Sequence, residues 1–299
     1  LFLNRYKKTT YDDIEFYTSD RKLKGSEFIW RSSIENTGSS WFEEENFPPS
    51  VNGSGYINPT HNLVSAFPMA NGYPATEENG YDPQNPYENR DPRLKAYILC
   101  NGDPIYEEDT IITGVGGGID RIDSISELST RTGYYLKKLL RDDVRINDDG
   151  TVSAKKHINI YSRYTELYLI LAEAANEIGG PDHAVQGITG REVIAAIRQR
   201  AGIASPDDYL ASIASKEDMR ALIQNERRLE LSFEGHRFWD LRRWGLPLNE
   251  SVSGYYHDGS GYVEIPVVET RDYPEFARYL PIPNNEILKF SALEQNQGW

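Results

Sequence analysis

The sequence has few of the residues from which nucleophilic and metal sites are usually built. It contains one cysteine and five histidines in 299 residues, so an internal disulfide or a cysteine-based zinc cluster cannot form. No G-x-S-x-G, H-E-x-x-H or Walker pattern marks a catalytic site. A glycosidase would need two carboxylates flanking the scissile bond, and nothing marks such a pair among the 46 Asp and Glu residues. We therefore expect a protein that is not an enzyme and requires no cofactor.

Basic residues are outnumbered as well. The 32 Lys and Arg residues leave a formal net charge of −14 at pH 7. Nucleic-acid binders place basic patches on phosphates, so we expect no nucleic-acid partner. The same charge disfavours adhesion of the protein surface to an anionic bilayer, and no apolar run reaches the ~18 residues that a transmembrane helix needs.

Aromatic residues, in contrast, are abundant, with 20 Tyr and 5 Trp. From Gly38 to about Gly118 they are spread through a segment that is rich in Gly, Pro and Asn and has only short apolar runs. This composition predicts long ordered loops, because disordered segments are depleted in aromatic residues. Such loops can bind sugars, since aromatic rings pack on the C–H faces of a sugar while polar side chains hydrogen-bond its hydroxyls. The candidate ligand-binding residues are Trp41, Tyr56, Tyr73 and Tyr81 for stacking, and Asn71, Asn79, Asp82 and Arg90 for polar contacts.

Packing within the loops is the alternative for each of these residues. It is the favoured interpretation of the turn Asn89–Arg93, in which Pro92 makes Asp91 extended and an Arg–Asp pair could lock the bend. Arg90 belongs to this turn, so it is either a ligand contact or a structural anchor. Cys100 lies in an apolar run and is interpreted as a small buried hydrophobe.

Helical periodicity begins after residue 157. Apolar residues recur every three or four positions from Tyr161 to Ile178, and the glycines at 179 and 180 predict the end of this helix. Thr189 and Glu192 have capping-box spacing at the start of a second helix, which Gly202 closes. The two helices are predicted to pack as an antiparallel pair.

Charged residues crowd the third helical segment. Ser215 predicts its N-cap, and Gly235 predicts a break that is followed by a second short helix. Glu226 and Glu230 could bind a metal, but the Glu-x-x-His pairs of di-iron sites are absent, so we expect an ion network and no metal centre. The expected partners in this network are Arg227, Arg228 and Arg237. The acidic segment Asp142–Gly150 does not follow the EF-hand order and is interpreted as a solvated turn, with a calcium site as the less favoured alternative.

The same charged segment carries a resemblance. The run Glu226–Gly245 (ERRLELSFEGHRFWDLRRWG) resembles the most recognisable segment of the SusD/RagB family of outer-membrane nutrient-binding lipoproteins. Further segments agree in the order in which the family has them, from about residue 25 to residue 299. These are 164–180 with 197–202 (helix pair), 58–72 and 89–94 (central loops), and 279–283 with 295–299 (carboxy terminus).

The resemblance implies a mainly α fold: a SusD-like α-helical scaffold with tetratricopeptide-type helix pairs and long irregular ligand-facing loops. Residues 1–299 would form a single SusD-like domain that is incomplete at its amino terminus. Within it we expect a loop-rich ligand-facing region at 25–155, a helical scaffold at 156–245 and a carboxy-terminal loop region at 246–299.

The resemblance also implies a function. The protein is expected on the cell surface at the bacterial outer membrane, held to the membrane only by the lipid anchor of the full-length protein. There it would bind starch-type or other polysaccharide-derived oligosaccharides and deliver them to a SusC-like TonB-dependent transporter. A RagB-like peptide-binding receptor is the alternative, and a glycan-active hydrolase is less favoured. The family's loops vary with the ligand, so the resemblance assigns no fixed ligand residues.

Overall fold

The computed structural model of the protein describes residues 2–10, 22–34, 37–106, 109–122 and 126–299. Helices predominate, and every strand of this described part pairs with one other strand in a two-stranded antiparallel sheet. A short helix is also predicted from the sequence at residues 11–17, and this segment lies outside the described residues. The helices are α1 (Phe2–Thr9), α2 (Trp41–Asn46), α3 (His61–Val64), α4 (Pro92–Tyr97), α5 (Tyr164–Gly179), α6 (Gly190–Ala201), α7 (Asp208–Ser212), α8 (Lys216–Glu230), α9 (Arg237–Arg243) and α10 (Asn284–Lys289). The strands are β1 (Phe28–Arg31), β2 (Ile98–Leu99), β3 (Tyr135–Leu136), β4 (Ile160–Arg163), β5 (Ala184–Val185), β6 (Ile188–Thr189), β7 (Val252–His257) and β8 (Tyr262–Glu269).

Helices α5 and α6 form the predicted pair. The capping box of Thr189 and Glu192 opens α6, and Gly202 closes it in the left-handed conformation with φ 91°. Gly190 sits so close to α5 that a Cβ added to it would lie 3.0 Å from the carbonyl oxygen of Ala172. A small residue is therefore required where the two helices meet, as in tetratricopeptide-type pairs.

The start of α5 differs from the prediction. Tyr161 belongs to β4, which pairs with β1, and the helix begins at Tyr164. The apolar spacing continued upstream of the helix, but pairing with a strand more than 100 positions earlier in the chain fixes these residues as extended. The alternation of residues 27–32 (EFIWRS) predicts a strand or a buried extended segment, and β1 lies within it.

The boundaries of α8 and α9 follow the sequence signals. Ser215 caps α8 by accepting the backbone N–H of Asp218 at 3.0 Å. The chain then breaks between Glu230 and Arg237, with Gly235 in the left-handed region at φ 81°.

Two hydrophobic cores are joined by α8. The helical core lies between α5, α6 and α8, and the loop core includes Phe67, Tyr97 and Tyr134 together with Leu229 from the end of α8. Cys100 is fully buried in the loop core, as predicted. The long loops are therefore ordered against the helical frame.

A buried ion network lies between these cores. Arg93 binds Asp91 at 2.6 Å, Glu226 at 2.8 Å and Glu230 at 3.2 Å, and all four side chains are inaccessible to solvent. The Arg–Asp pair predicted to lock this turn is thus confirmed. Arg163 adds contacts of 3.1 Å to Glu230 and 2.8 Å to a second buried carboxylate, that of Glu234.

The network exists, but its predicted partners are wrong. Arg227 binds Asp240 at 2.8 Å, and neither Arg228 nor Arg237 pairs with a carboxylate among the residues that the structure describes. Side chains one or two positions apart on a helix point in different directions, so the arginines next to Glu226 face away from it. The guanidinium groups that reach the two glutamates come from distant segments instead: Arg93, Arg163, Arg198 and Arg200.

Candidate ligand-binding site

A cleft of about 460 Å³ opens where the loop region meets β4 and the turn after α8. This volume is within the range of small-molecule sites in proteins. Its wall is largely apolar, and a few polar side chains reach it. The lining includes Trp41, Phe42, Leu136, His157, Asn159 and Phe233.

Trp41 is the most prominent side chain of the cleft. It is the first residue of α2 and is 62% exposed, so its ring faces solvent at a site that also has apolar depth. Tyr56 is 66% exposed and precedes Ile57, which lines the cleft. The backbone N–H of Tyr56 donates to the carbonyl of Glu45 in α2 at 3.0 Å, so the two exposed rings are carried by segments that are bonded to each other.

A buried carboxylate fixes α2 in place. Glu43 is inaccessible to solvent and accepts the backbone N–H of Arg141 and the Nε2 of His157, both at 2.9 Å. His157 is thereby oriented at the cleft wall. Helix α2, which carries Trp41, and the side chain of His157 are therefore joined through Glu43 before a ligand arrives.

Glu234 is the other ionisable side chain of the lining. Burial raises its pKa, but Arg163 and Lys138 outweigh burial and lower it overall, through contacts of 2.8 and 2.7 Å. The carboxylate is therefore ionised at neutral pH and occupied by its two cations, so it is a poor proton donor. An aromatic and aliphatic wall with oriented polar groups suits binding.

The structure separates the eight candidate residues. Trp41 lines the cleft and Tyr56 lies beside it. Asn71, Tyr73 and Asn79 form a different surface, where Asn71 Oδ1 accepts the N–H of Tyr73 at 3.1 Å and Asn79 donates to the carbonyl of Pro74 at 2.9 Å. The ring of Tyr73 is partly covered by Tyr209 at 5.3 Å.

The remaining three candidates maintain the loop's own conformation. Asp82 accepts the backbone N–H of Gln84 at 2.9 Å. Arg90 is 7% exposed and lies 5.4 Å from the centre of the Tyr81 ring. It donates to four backbone carbonyls, those of Val64, Phe67, Pro68 and Pro86. This geometry corresponds to the structural anchor that was the alternative for Arg90.

Sequence reasoning missed His157, Asn159 and Phe233. The first two precede β4 and reach the cleft only because β4 pairs with β1. Phe233 carried one usable signal, because it lies in the turn before Gly235. Its φ of 64° is uncommon for a bulky residue. The ring packs against two buried hydrophobic clusters and forms part of the cleft wall.

The model of the SusD family matches residues 26–299 of the sequence. The chain belongs to the SusD family. Among its relatives, SusD-like protein P2 of Formosa agariphila is 29% identical over 196 residues, which are 63% of this chain and 35% of the relative. SusD-like protein P25 of the same organism is 36% identical over 115 residues, which are 38% of this chain and 20% of the relative.

Solved structures agree with this SusD assignment. A SusD-like protein of Bacteroides fragilis has a TM-score of 0.75 at 26% identity, over 98% of this chain and 58% of that one. This similarity confirms the predicted SusD-like helical fold. The chain thus spans about a third of the relative P2 and little more than half of the solved protein. In the part of the chain described above, no helix is both long and apolar enough to span a bilayer.

Proposed function

We propose that this SusD-family protein binds an oligosaccharide in the Trp41 cleft and delivers it to a SusC-like TonB-dependent transporter. It would act at the surface of the bacterial outer membrane, where the full-length protein is held by a lipid anchor. The observation that carries the proposal is the exposed Trp41 ring at a pre-organised cleft of about 460 Å³. A solved Bacteroides fragilis protein of this fold, with a TM-score of 0.66 and 21% identity, is described as a SusD-like carbohydrate-binding protein.

The chemistry of the cleft supports a sugar as the ligand. The C–H face of a sugar ring can pack on the indole of Trp41, while Asn159 and His157 can hydrogen-bond its hydroxyls. Tyr56 would extend the aromatic surface beyond the cleft, so that a chain of sugar units could be held at more than one point. Anchoring aromatic residues of this kind typically contribute about 2 kcal/mol, which is roughly a 30-fold change in Kd.

Calorimetric titration of the purified protein against a panel of oligosaccharides tests the proposal. We expect heat of binding with at least one glycan, and a loss of at least about tenfold in affinity in Trp41→Ala. Trp299→Ala is the matched control, because Trp299 is 49% exposed and packs on Phe276 at the carboxy terminus. Equal affinities of the wild type and Trp41→Ala would remove the cleft from the proposal.

The alternatives have distinct outcomes in the same experiment. Heat with a peptide mixture and none with glycans would replace the proposal with a RagB-like peptide receptor. Release of reducing sugar would indicate a glycan-active hydrolase and contradict a purely binding role. Delivery is tested by co-purification from outer membranes: a TonB-dependent transporter should accompany the protein, and its absence would contradict that half of the proposal.

A further inference from the structure

Three arginines of the charged segment 225–245 have no carboxylate partner in the described structure. Arg242 donates instead to the carbonyl of Phe238 and to the hydroxyl of Tyr273. The other two, Arg228 and Arg237, have fewer bonds. Arg228 makes one hydrogen bond, from Nη2 to the backbone carbonyl of Asn62 at 2.8 Å. Arg237 makes no hydrogen bond or ion pair with any residue in the described ranges, yet both side chains are partly buried. A partly buried guanidinium that lacks a partner loses hydration without compensation.

Another arginine and one carboxylate lie at the same place as Arg228 and Arg237. The side chain of Asn62 binds the beginning of β7 through hydrogen bonds of 3.0 and 2.9 Å, and this fixes the open end of the β7–β8 hairpin beside Arg228. Strands β7 and β8 are antiparallel, with Val252 opposite Glu269. Glu250 and Arg271, each two positions beyond this pair, therefore extend from the same open end of the hairpin.

The electrostatics agree with this placement. Burial and the charges of Arg237 and Arg271, opposed by Glu250, together lower the pKa of Arg228 to about 10. Burial also lowers the pKa of Arg237, with Glu250 and Asp240 opposing and Arg271 adding to the effect. The guanidinium groups thus repel one another, and Glu250 is too distant to form an ion pair with any of them in the described structure.

This local excess of positive charge is unexpected in a protein whose formal net charge is −14. Five cations of the buried network, in comparison, share six carboxylates: Arg93, Lys138, Arg163, Arg198 and Arg200 with Glu27, Asp91, Asp207, Glu226, Glu230 and Glu234. Arg90 is also buried without a carboxylate, but four backbone carbonyls accept its hydrogen bonds, whereas Arg228 has one such acceptor and Arg237 has none in the described structure. An oxyanion from outside the chain can supply both the negative charge and the hydrogen-bond acceptors that these two guanidinium groups lack.

We propose that Arg228, Arg237 and Arg271 form a binding site for an oxyanion of the carboxylate or sulfate type. Guanidinium groups bind such groups through paired hydrogen bonds from their planar fork, and several around one anion add geometric selectivity. The anion can be free in solution or can be an acidic substituent on a saccharide. The second source rests on the proposed glycan-binding function, and the first does not.

Calorimetry with inorganic sulfate, at constant ionic strength set by sodium chloride, tests the site itself. We expect saturable binding to the wild type and at least about a tenfold loss of affinity in Arg237→Gln, because one of the three cations is removed. Arg131→Gln is the matched control, since Arg131 is exposed and its side chain makes no bond in the described structure. Should Arg237→Gln fail to fold, Arg271→Gln takes its place, because Arg271 is exposed and unbonded there.

A second titration compares glucuronate with glucose. Binding of glucuronate alone, lost in Arg237→Gln, would identify an acidic saccharide as a ligand, whereas binding of sulfate without glucuronate would restrict the site to the free ion. Equal sulfate binding by the wild type and Arg237→Gln, or no saturable binding of sulfate or glucuronate, would overturn the proposal. Failure of this test says nothing about the cleft, because sulfate has no ring face on which Trp41 could stack.

Discussion

Glu230→Gln is the substitution for which the structure predicts a large loss of stability. The carboxylate of Glu230 is inaccessible to solvent and contacts Arg93 at 3.2 Å, Arg163 at 3.1 Å and Arg200. Glutamine has the same size and shape, so packing is preserved. Three buried guanidinium groups would, however, lose their shared negative charge, and one of the amide's terminal groups can only donate hydrogen bonds.

Removal of one partner from a buried ion pair typically costs about 3–5 kcal/mol, because the remaining charges stay buried without compensation. We expect a loss of that size in the free energy of unfolding, measured by urea denaturation with tryptophan fluorescence. The matched control is Glu286→Gln, which removes an ion pair with Lys289 at 2.7 Å whose side chains are 48% and 67% exposed. Its cost should stay within about 0.5 kcal/mol.

The dependence on pH provides a second check. Burial raises the pKa of Glu230, but Arg200, Arg163 and Arg93 outweigh burial and lower it far below the ordinary range. The advantage of the wild type over Glu230→Gln should therefore be constant above pH ~5, and should shrink as the pH falls below the ordinary glutamate value of about 4.3 toward the depressed folded value. If the unfolding free energy of Glu230→Gln lies within about 1 kcal/mol of the wild-type value at pH 7, the reasoning is refuted. The buried Glu230 contacts would then contribute no more than the exposed Glu286–Lys289 pair.

Two further predictions concern the loop region. Gly72 and Gly80 both have left-handed backbones, with φ of 89° and 91°. A Cβ added to Gly72 would lie 2.4 Å from Nη2 of the buried Arg198, whereas a Cβ added to Gly80 would meet open space. Gly80→Ala should cost about 1–2 kcal/mol of unfolding free energy for conformation alone, and Gly72→Ala at least about 1 kcal/mol more; equal urea midpoints would contradict the contact. Burial, followed by the charge of Arg90, lowers the pKa of His61 to about 4, so an NMR titration should place its midpoint there, and a value above 6 would be incompatible with the structure. Because the folded protein keeps His61 neutral, stability should be lost as the pH falls from about 6.5 through 4, by about 3 kcal/mol in total.

Features set by neighbouring residues could be predicted from the sequence. The capping box at Thr189, the cap at Ser215 and the left-handed closure at Gly202 each depend on hydrogen bonds or backbone angles within about one turn of helix. The long loops were predictable too, because their aromatic residues could only be explained by packing or binding. The exposure of Trp41 and Tyr56 was among these expectations.

Features set by distant residues could not be predicted in this way. Tyr161 has helical spacing, but its pairing with β1 makes it part of a strand. The cleft combines Trp41 with His157 and Phe233, which lie more than a hundred positions further along the chain, and no local pattern relates them. The sequence likewise marks Glu226 as charged without indicating that its partners are Arg93 and Arg198.

The buried ion network also bears on folding during synthesis, because its partners are translated at different times. Arg93 is translated 137 positions before Glu230, and Lys138 is translated 96 positions before Glu234. Until those glutamates leave the exit tunnel, Arg93 and Lys138 lack these carboxylate partners, so we expect the loop region to remain incompletely packed. We therefore expect the first half of the chain to complete its folding only after the second half has been synthesised.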